Sequence, residues 1–351
     1  MEYRQLGRSG LRISTLTLGT MTFGRRGESA VTGGSDVNAA RRHVDIALDA
    51  GVNLIDTADA YSGGASEEIL GEVLRGRRNR TLIATKARFA TGKGPNDAGL
   101  SRQHLIEACE ASLLRLQTDH IDLYQVHEYD GVTPIEETLG ALQHLLDSGK
   151  VRYVGCSNFT GWQMMKALGV ADRTGLPRFV SQQIYLSLQE RSAEYEMIPA
   201  AIDQGVGLLI WSPLAGGWLS GKYRRNQPDP TGSRHLSDWD EPPIYDEDKL
   251  YDTIEAVVEI AEAHGRPPAQ VALAWLLTRP GVSSVIVGAR SDQQLTDNLE
   301  TVTLELTAPE LARLDEVSRP LLIYPHWHQA QNATDRLSEA QRSLLDPFIS
   351  G

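Results

Sequence analysis

Eight short apolar runs recur along the chain: LTLG at 16, NLID at 53, TLIAT at 81, HIDLYQVH at 120, VRYVGCS at 151, FVSQQ at 179, GLLIW at 207 and SVIVG at 284. Between successive runs lie longer stretches with apolar residues at helical spacing, among them ARRHVDIALDAG, SRQHLIEACEASLLRL, PIEETLGALQHLLDSG and YDTIEAVVEIAEAHG. Eight strands alternating with helices predict an α/β chain closed into a parallel (β/α)8 TIM barrel. The residues ahead of the first run, within 1–13, read as a small hairpin closing the bottom of that barrel. No Pro/Gly-rich linker or low-complexity tract divides the chain, so residues 1–351 read as one domain, with 319–351 a tail near the pocket.

Helix starts are marked in three places. Thr133, Pro134 and Glu136 predict a capping box with proline at the first helical position, Thr160 with Gln163 predicts a second box, and Leu100 and Leu105 bracket Ser101 as a hydrophobic staple. Three long polar segments interrupt the alternation: TMTFGRRGESAVTGGS, ARFATGKGPNDAG and the stretch from Trp218 to Asp248. Each follows a strand, which assigns it to the C-terminal face where barrels of this kind assemble active sites.

Charge narrows the function. With 34 basic against 46 acidic residues the net charge is −12, which provides no basic field for nucleic acid or an anionic membrane. The N-terminus has no apolar signal core, and no segment reaches the roughly eighteen unbroken apolar residues of a membrane span, so a cytoplasmic protein is expected. Cys109 lies on an apolar helical face with Leu105, Leu113 and Leu116. It and Cys156 read as two buried thiols rather than a disulfide or metal site.

Ionisable groups fall at strand ends in a consistent way: Asp56 ends the second run, Lys86 the third and His127 the fourth, with Tyr61 just past Asp56. Singly, each has a structural alternative: a turn cap, an exposed lysine, a satisfied core histidine. Together at one barrel mouth they form a chemical set. A phenol with a pKa of about 10 is a poor acid near neutrality, but an adjacent ammonium lowers that value. Lys86 is expected to have that effect on Tyr61, with Asp56 as the counter-charge a buried lysine requires. Tyr61 could then protonate a carbonyl oxygen as hydride reaches carbon, while His127 orients that oxygen.

The stretches LGTMTFG, NLIDTADAYSGGASEEILG, ATK, QVHEYD, GKVRYVGCSNF, FVSQQIYLSLQER, WSPLAGGWLSGKY and VIVGARSDQQLTDNL, in this order and over about 320 residues, resemble the aldo-keto reductases. The resemblance implies an Asp-Tyr-Lys-His tetrad at Asp56, Tyr61, Lys86 and His127, reducing aldehydes and ketones with a nicotinamide cofactor, normally NADPH, and without metal. It places Ser157, Asn158 and Gln183 on the carboxamide and Trp211 on the nicotinamide ring, where the alternative for Trp211 is an ordinary strand-end aromatic. Gly19, Thr20, Met21 and Asp56 would line the ribose and nicotinamide side.

No G-x-G-x-x-G follows any strand, so a Rossmann grip is absent. Ser212, Pro213, Leu214, Gly216 and Lys222 resemble instead a loop wrapping the pyrophosphate, with Arg234 a further candidate. From Gly288 a helix opens, and Arg290 beside its N-terminus suits a phosphate and argues for NADPH over NADH. Gln294 and Asn298 match adenosine contacts, although Ser291 with Gln294 also reads as a capping box.

Phe23, Trp218, Tyr324, Trp327 and His328 are candidate pocket lining. The HWH spacing in the tail leaves a metal reading or an interface aromatic open, the latter favoured because no carboxylate or cysteine completes a ligand set nearby. The expected partner is a small carbonyl compound, with a homo-oligomer left open. A cofactor-bound regulatory subunit is the alternative class. In the potassium-channel beta subunits asparagine takes the histidine position, whereas this chain has His127. The reverse reaction, alcohol or sugar oxidation, would use the same residues.

Overall fold

The computed structural model describes residues 1–24, 34–228, 230 and 241–349. Strands β1 (Tyr3–Gln5) and β2 (Arg12–Ser14) form an antiparallel hairpin, and β3 (Leu16–Gly19), β4 (Leu54–Asp56), β5 (Leu82–Ala87), β6 (Ile121–Val126), β7 (Val151–Ser157), β8 (Ser181–Tyr185), β9 (Gly207–Trp211) and β10 (Val282–Val287) follow. The last eight close into a parallel barrel in chain order, β10 pairing β3 to seal it. Every apolar run in the sequence is one of these strands.

Helices alternate with them: α1 (Val37–Asp49), α2 (Ala65–Val73), α3 (Arg102–Leu116), α4 (Ile135–Asp147), α5 (Gly161–Thr174), α6 (Met197–Gln204), α7 (Glu247–His264), α8 (Pro268–Leu277), α9 (Asp292–Leu299) and α10 (Ala308–Ser318). The tail adds α11 (His326–Asn332) and α12 (Glu339–Ile349). Outward-facing strand residues such as Ile83, Tyr124 and Val126 pack against the helices in the main core.

The hairpin does plug the bottom. Leu6 and Ile13 are fully buried and pack with Leu54, Ala84, Leu123, Leu209 and Ile286, the inward residues of the lower barrel. The bend into it requires Gly7, which has φ +55 and sits so close to the Val180 carbonyl oxygen that a Cβ could not fit.

Local signals are borne out at two helices. Ser101 caps α3, accepting from the His104 N–H, with Leu100 and Leu105 both buried beside it. Thr160 and Gln163 form a reciprocal box at α5. At α4 the expectation fails: Pro134 is itself the cap, with ψ 132, and no side chain caps the helix. The Thr133 hydroxyl instead donates to Asp130 Oδ2 at 2.7 Å, and the Asp130 carboxylate also takes the Val132 and Thr133 N–H groups. A turn ahead of the helix thus outcompetes the cap. Both cysteines are free and buried. No described helix is long and apolar enough to cross a membrane.

Candidate active site

Strand alternation builds the site. Side chains two residues apart share a face, so the inward column that carries Leu54, Ala84, Leu123 and Leu209 at the bottom carries Asp56, Lys86, Gln125 and Trp211 one step higher. His127 continues the β6 column one step further, at the mouth.

Lys86 is fully buried, and its ammonium donates to Asp56 Oδ1 at 2.6 Å, to the Thr57 carbonyl at 2.8 Å and to Tyr61 Oη at 3.1 Å. Three donors meet three acceptors. Burial alone would lower the lysine's pKa, but the Asp56 charge and the hydrogen bonds to Asp56 and Tyr61 outweigh it, and the net shift is upward. The other oxygen of Asp56 accepts from Gln183 Nε2 at 2.9 Å and Gln125 Nε2 at 3.4 Å. Both carboxylate oxygens are therefore held, as a buried ion pair requires.

Tyr61 reaches the same ammonium from a 3-10 turn, Tyr61–Gly64, between β4 and α2. The turn holds three left-handed residues in a row, Ser62 (φ 50), Gly63 (φ 60) and Gly64 (φ 89). The Ser62 hydroxyl pins it by donating to the Phe23 carbonyl at 3.0 Å. Below it, Ser66 Oγ lies 2.8 Å from Thr20 Oγ1 and 3.0 Å from Thr57 Oγ1, tying the loop to the β3 and β4 ends. Burial raises the Tyr61 pKa by more than Lys86 lowers it: the ammonium acts as expected through its charge and its hydrogen bond, but Asp56 cancels part of that effect and the net shift is upward. The phenol is thus a reluctant acid. Because Lys86 donates to its oxygen, the phenol O–H remains available to donate.

His127 packs edge-on against Phe89, at 4.6 Å between ring centres, and against Tyr61 at 6.0 Å. Burial, then the Lys86 and Arg88 charges, push its pKa well down, so the ring is a neutral imidazole. Its Nδ1 is buried with no hydrogen-bond partner among the described residues.

The residues matched to the cofactor form an arc over β7 to β10 and β3. Ser157 is buried, and its hydroxyl has no partner among the described residues. Asn158, left-handed at φ 56, accepts from Trp211 Nε1 at 2.9 Å and donates to the His127 carbonyl at 3.2 Å. Gln183 is engaged with Asp56. Trp211 is half-buried beside Tyr185, at 4.9 Å between rings. Thr20 is buried, its N–H and hydroxyl both on the Asp56 carbonyl at 3.0 Å. Gly19 lies where a Cβ would stand 2.8 Å from Ile286 Cγ2; Met21 is half-buried.

Beyond β9 the backbone turns left-handed at Ser212 (φ 49), Ala215 (φ 50), Gly216 (φ 67) and Gly217 (φ 112), with Pro213 and Leu214 between, and the Gly216 N–H donates to Ser212 Oγ at 3.3 Å. Lys222 is exposed at the end of this loop, and Arg234 lies outside the described residues. Gly288 and Arg290 are exposed ahead of α9, whose cap Ser291 accepts from the Gln294 N–H at 3.3 Å. The Gln294 side chain returns to the Arg290 N–H at 3.0 Å, so its oxygen serves the helix start, while Asn298 is buried.

The pocket candidates separate. Phe23 is not exposed lining: it has no accessible surface and packs in the core near His43, drawn in by the turn that Ser62 pins. Trp218 packs against Tyr223 and Tyr251, with centroids at 4.4 and 6.4 Å. On the tail Trp327 contacts both Tyr324 and His328, and the tail is anchored where His326 stacks on Tyr195 at 5.7 Å and reaches Glu196 at 3.8 Å. Among the described residues no group of three or more His, Cys, Asp or Glu is placed to hold a metal.

Four polar residues enter that the sequence reading did not single out. Gln125, two residues before His127, and Arg88, two residues after Lys86, are the two that alternation could have found. Glu67 is fully buried, accepting from Thr85 Oγ1 at 2.6 Å and Arg115 Nε at 2.7 Å. Asp59 is buried with no well-formed hydrogen bond to either carboxylate oxygen, although the Ala60 N–H lies close enough to favour its charged form. Burial and the nearby Glu67 nevertheless raise its pKa to about 7.

Comparison with known proteins finds similarity over most of the chain. The model of the Aldo/keto reductase family matches residues 15–319. An uncharacterized oxidoreductase, YrpG, of Bacillus subtilis (strain 168) is 39% identical over 90% of this chain and 96% of its own length. A probable voltage-gated potassium channel subunit beta of Arabidopsis thaliana is 37% identical over 90% of this chain and 96% of its own. Versiconal hemiacetal acetate reductase of Aspergillus parasiticus is 36% identical over 93% and 99%.

Proposed function

The chain belongs to the aldo/keto reductase family, and from that premise we propose that it reduces aldehydes or ketones to alcohols with NADPH, Tyr61 supplying the proton. The observation that carries the reading is the Lys86 ammonium bridging Asp56 Oδ1 at 2.6 Å and Tyr61 Oη at 3.1 Å inside the barrel mouth. A nicotinamide supplies hydride when bound. The residues fit such a group: the orphaned Ser157 hydroxyl is a buried polar atom that a carboxamide would satisfy, Trp211 offers an aromatic face, and the left-handed loop from Ser212 to Gly217 brings backbone close to a pyrophosphate. Lys222 adds positive charge beside that loop, and Arg290, ahead of α9, suits a phosphate on the ribose, the basis for preferring NADPH.

Tyr61 passes its proton to the carbonyl oxygen, and Lys86, already donating to the phenol oxygen, stabilises the phenolate left behind. Asp56 keeps Lys86 charged. The neutral His127 ring has one N–H to give, and offering it to the same oxygen fixes the carbonyl's orientation without adding a charge. A cofactor-bound binding subunit is the second reading, because the potassium channel subunit beta is among the relatives; His127 favours catalysis.

The test is a panel of aldehydes and ketones followed by NADPH absorbance, for wild type and Tyr61→Phe, with NADH in parallel. Wild type is expected to turn over aldehydes, and the variant to lose about 10²–10⁴-fold in kcat while still binding NADPH. Full turnover by the variant would reject Tyr61 as the acid. Tight NADPH binding by wild type without turnover on any substrate would favour the binding-subunit reading.

A further inference from the structure

Arg88 is the mouth cation that the proposed mechanism does not use. It lies two residues beyond Lys86, so alternation continues the inward column Ala84, Lys86 one step toward solvent. Its guanidinium carbon stands 5.5 Å from the Phe89 ring centre, and Phe89 in turn packs on His127 at 4.6 Å. The charge is therefore beside the ring assigned to orient the carbonyl oxygen, and it is one cause of that ring's lowered pKa.

No described carboxylate pairs with it. Arg88 Nε is buried and has no hydrogen-bond partner among the described residues. Of the neighbouring acids, Asp56 is engaged by Lys86 and Gln183, while Glu128 feels the Arg88 charge without forming an ion pair with it among the described residues, and the Tyr129 N–H and the Asn158 side chain also favour its charged form. Arg115 pairs with Glu67 and Arg191 with Glu194 and Asp315, whereas Arg319, stacked on Phe348 and far from the mouth, shares the unpartnered Nε of Arg88. A partly buried guanidinium that is attracted to a carboxylate it does not touch keeps donors that an arriving anion could take.

Position decides which anion. The residues proposed for the cofactor lie on β7 to β10 and β3, whereas Arg88 follows β5, beside β6, on the opposite arc of the closed barrel. That arc is the one the proposed cofactor residues leave to a substrate.

We propose that Arg88 makes this site select carbonyl compounds that also carry a carboxylate, such as aldehyde acids and oxo acids, the guanidinium pairing with the carboxylate while the carbonyl oxygen meets Tyr61 and His127. The assignment rests on the reductase reading above. If Arg88 merely stacks on Phe89, substrate charge would not matter.

The test measures kcat/KM with NADPH for 3- and 4-carboxybenzaldehyde, benzaldehyde and 4-(trimethylammonio)benzaldehyde. Wild type is expected to prefer a carboxylated aldehyde over the neutral one by about tenfold or more, the scale of one charge-assisted pair, and to disfavour the cationic one. In Arg88→Gln the ratio falls toward one, chiefly through KM of the anionic substrate. Arg88→Lys keeps part of the preference, and Arg88→Glu inverts it toward the cationic aldehyde. A wild-type ratio near one, or a ratio unchanged in Arg88→Gln, overturns the assignment and leaves the reductase reading standing. Absence of turnover with every aldehyde overturns both.

Discussion

The two ends of the barrel are made from the same strands and follow opposite rules. At the bottom, Leu54, Ala84, Leu123 and Leu209 meet the hairpin's Leu6 and Ile13 in an apolar cluster, and the Arg8 N–H and Gly205 carbonyl pair at 2.7 Å. One pleat higher, the same columns carry Asp56, Lys86, Gln125 and Trp211. Around them lie polar groups with unmet hydrogen bonds, on Asp59, Ser157, His127 and Arg88, and non-glycine residues in left-handed backbone, Ser62, Asn158, Ser212 and Ala215. Such groups and conformations each cost free energy. The bottom holds the barrel closed so that the mouth can keep them in place.

The sharpest way to break this contrast is to make the mouth resemble the bottom. Lys86→Met leaves Asp56 buried without its cation. We expect loss of stability of about 3–5 kcal/mol and loss of carbonyl reduction by at least about 10²-fold. Asp56→Leu in the Lys86→Met background removes the stranded charge, so denaturant titration is expected to recover most of the stability while turnover stays lost. Recovery of turnover along with stability would show that the ion pair only holds the fold.

Asp59 tests the cost of polarity at the mouth through pH. Its carboxyl is raised from 3.8 to about 7, so in the fold it keeps a proton that the unfolded chain has already released. The unfolded state then binds fewer protons, and stability falls as pH climbs from about 4 to about 7 and levels above that. About three units correspond to about 4 kcal/mol. Asp59→Asn is therefore expected to melt above wild type at pH 8, with the gap closing toward pH 4. A gap independent of pH would remove the titration of Asp59 as its cause.

How much of this was legible in the sequence follows from the same contrast. The eight strands and the meeting of Asp56, Lys86 and His127 at one end of them were legible because a period-two column needs only local spacing, and each of the three falls where an apolar run ends. The staple at Ser101 and the box at Thr160 are local too. What failed depends on packing between distant segments. The direction of the Tyr61 shift turns on how deeply its loop is buried, not on the nearness of Lys86. Glu67 becomes a core residue only because Arg115 arrives from α3, 48 residues away. Phe23 turned into core because Ser62 clamps its carbonyl. The tail's aromatic residues could be placed only once His326 was seen to dock on Tyr195.

The bottom supplies the last and smallest test. Leu6 has no exposed surface, and its Cδ1 packs so closely that a Cβ on Gly207 would stand 2.9 Å from it. Leu6→Ala removes apolar contact and leaves a cavity that the paired hairpin cannot fully collapse, for an expected cost of about 3 kcal/mol in urea denaturation. The mouth is a full pleat away and its hydrogen bonds are its own. At 25 °C, below the lowered melting transition, kcat for aldehyde reduction is therefore expected to stay within about twofold, a change under 1 kcal/mol in the barrier. A fall in kcat as large as the loss of stability would mean that the plug sets the geometry of Asp56 and Lys86 through the strands, and the two ends would then have to be treated as one coupled unit.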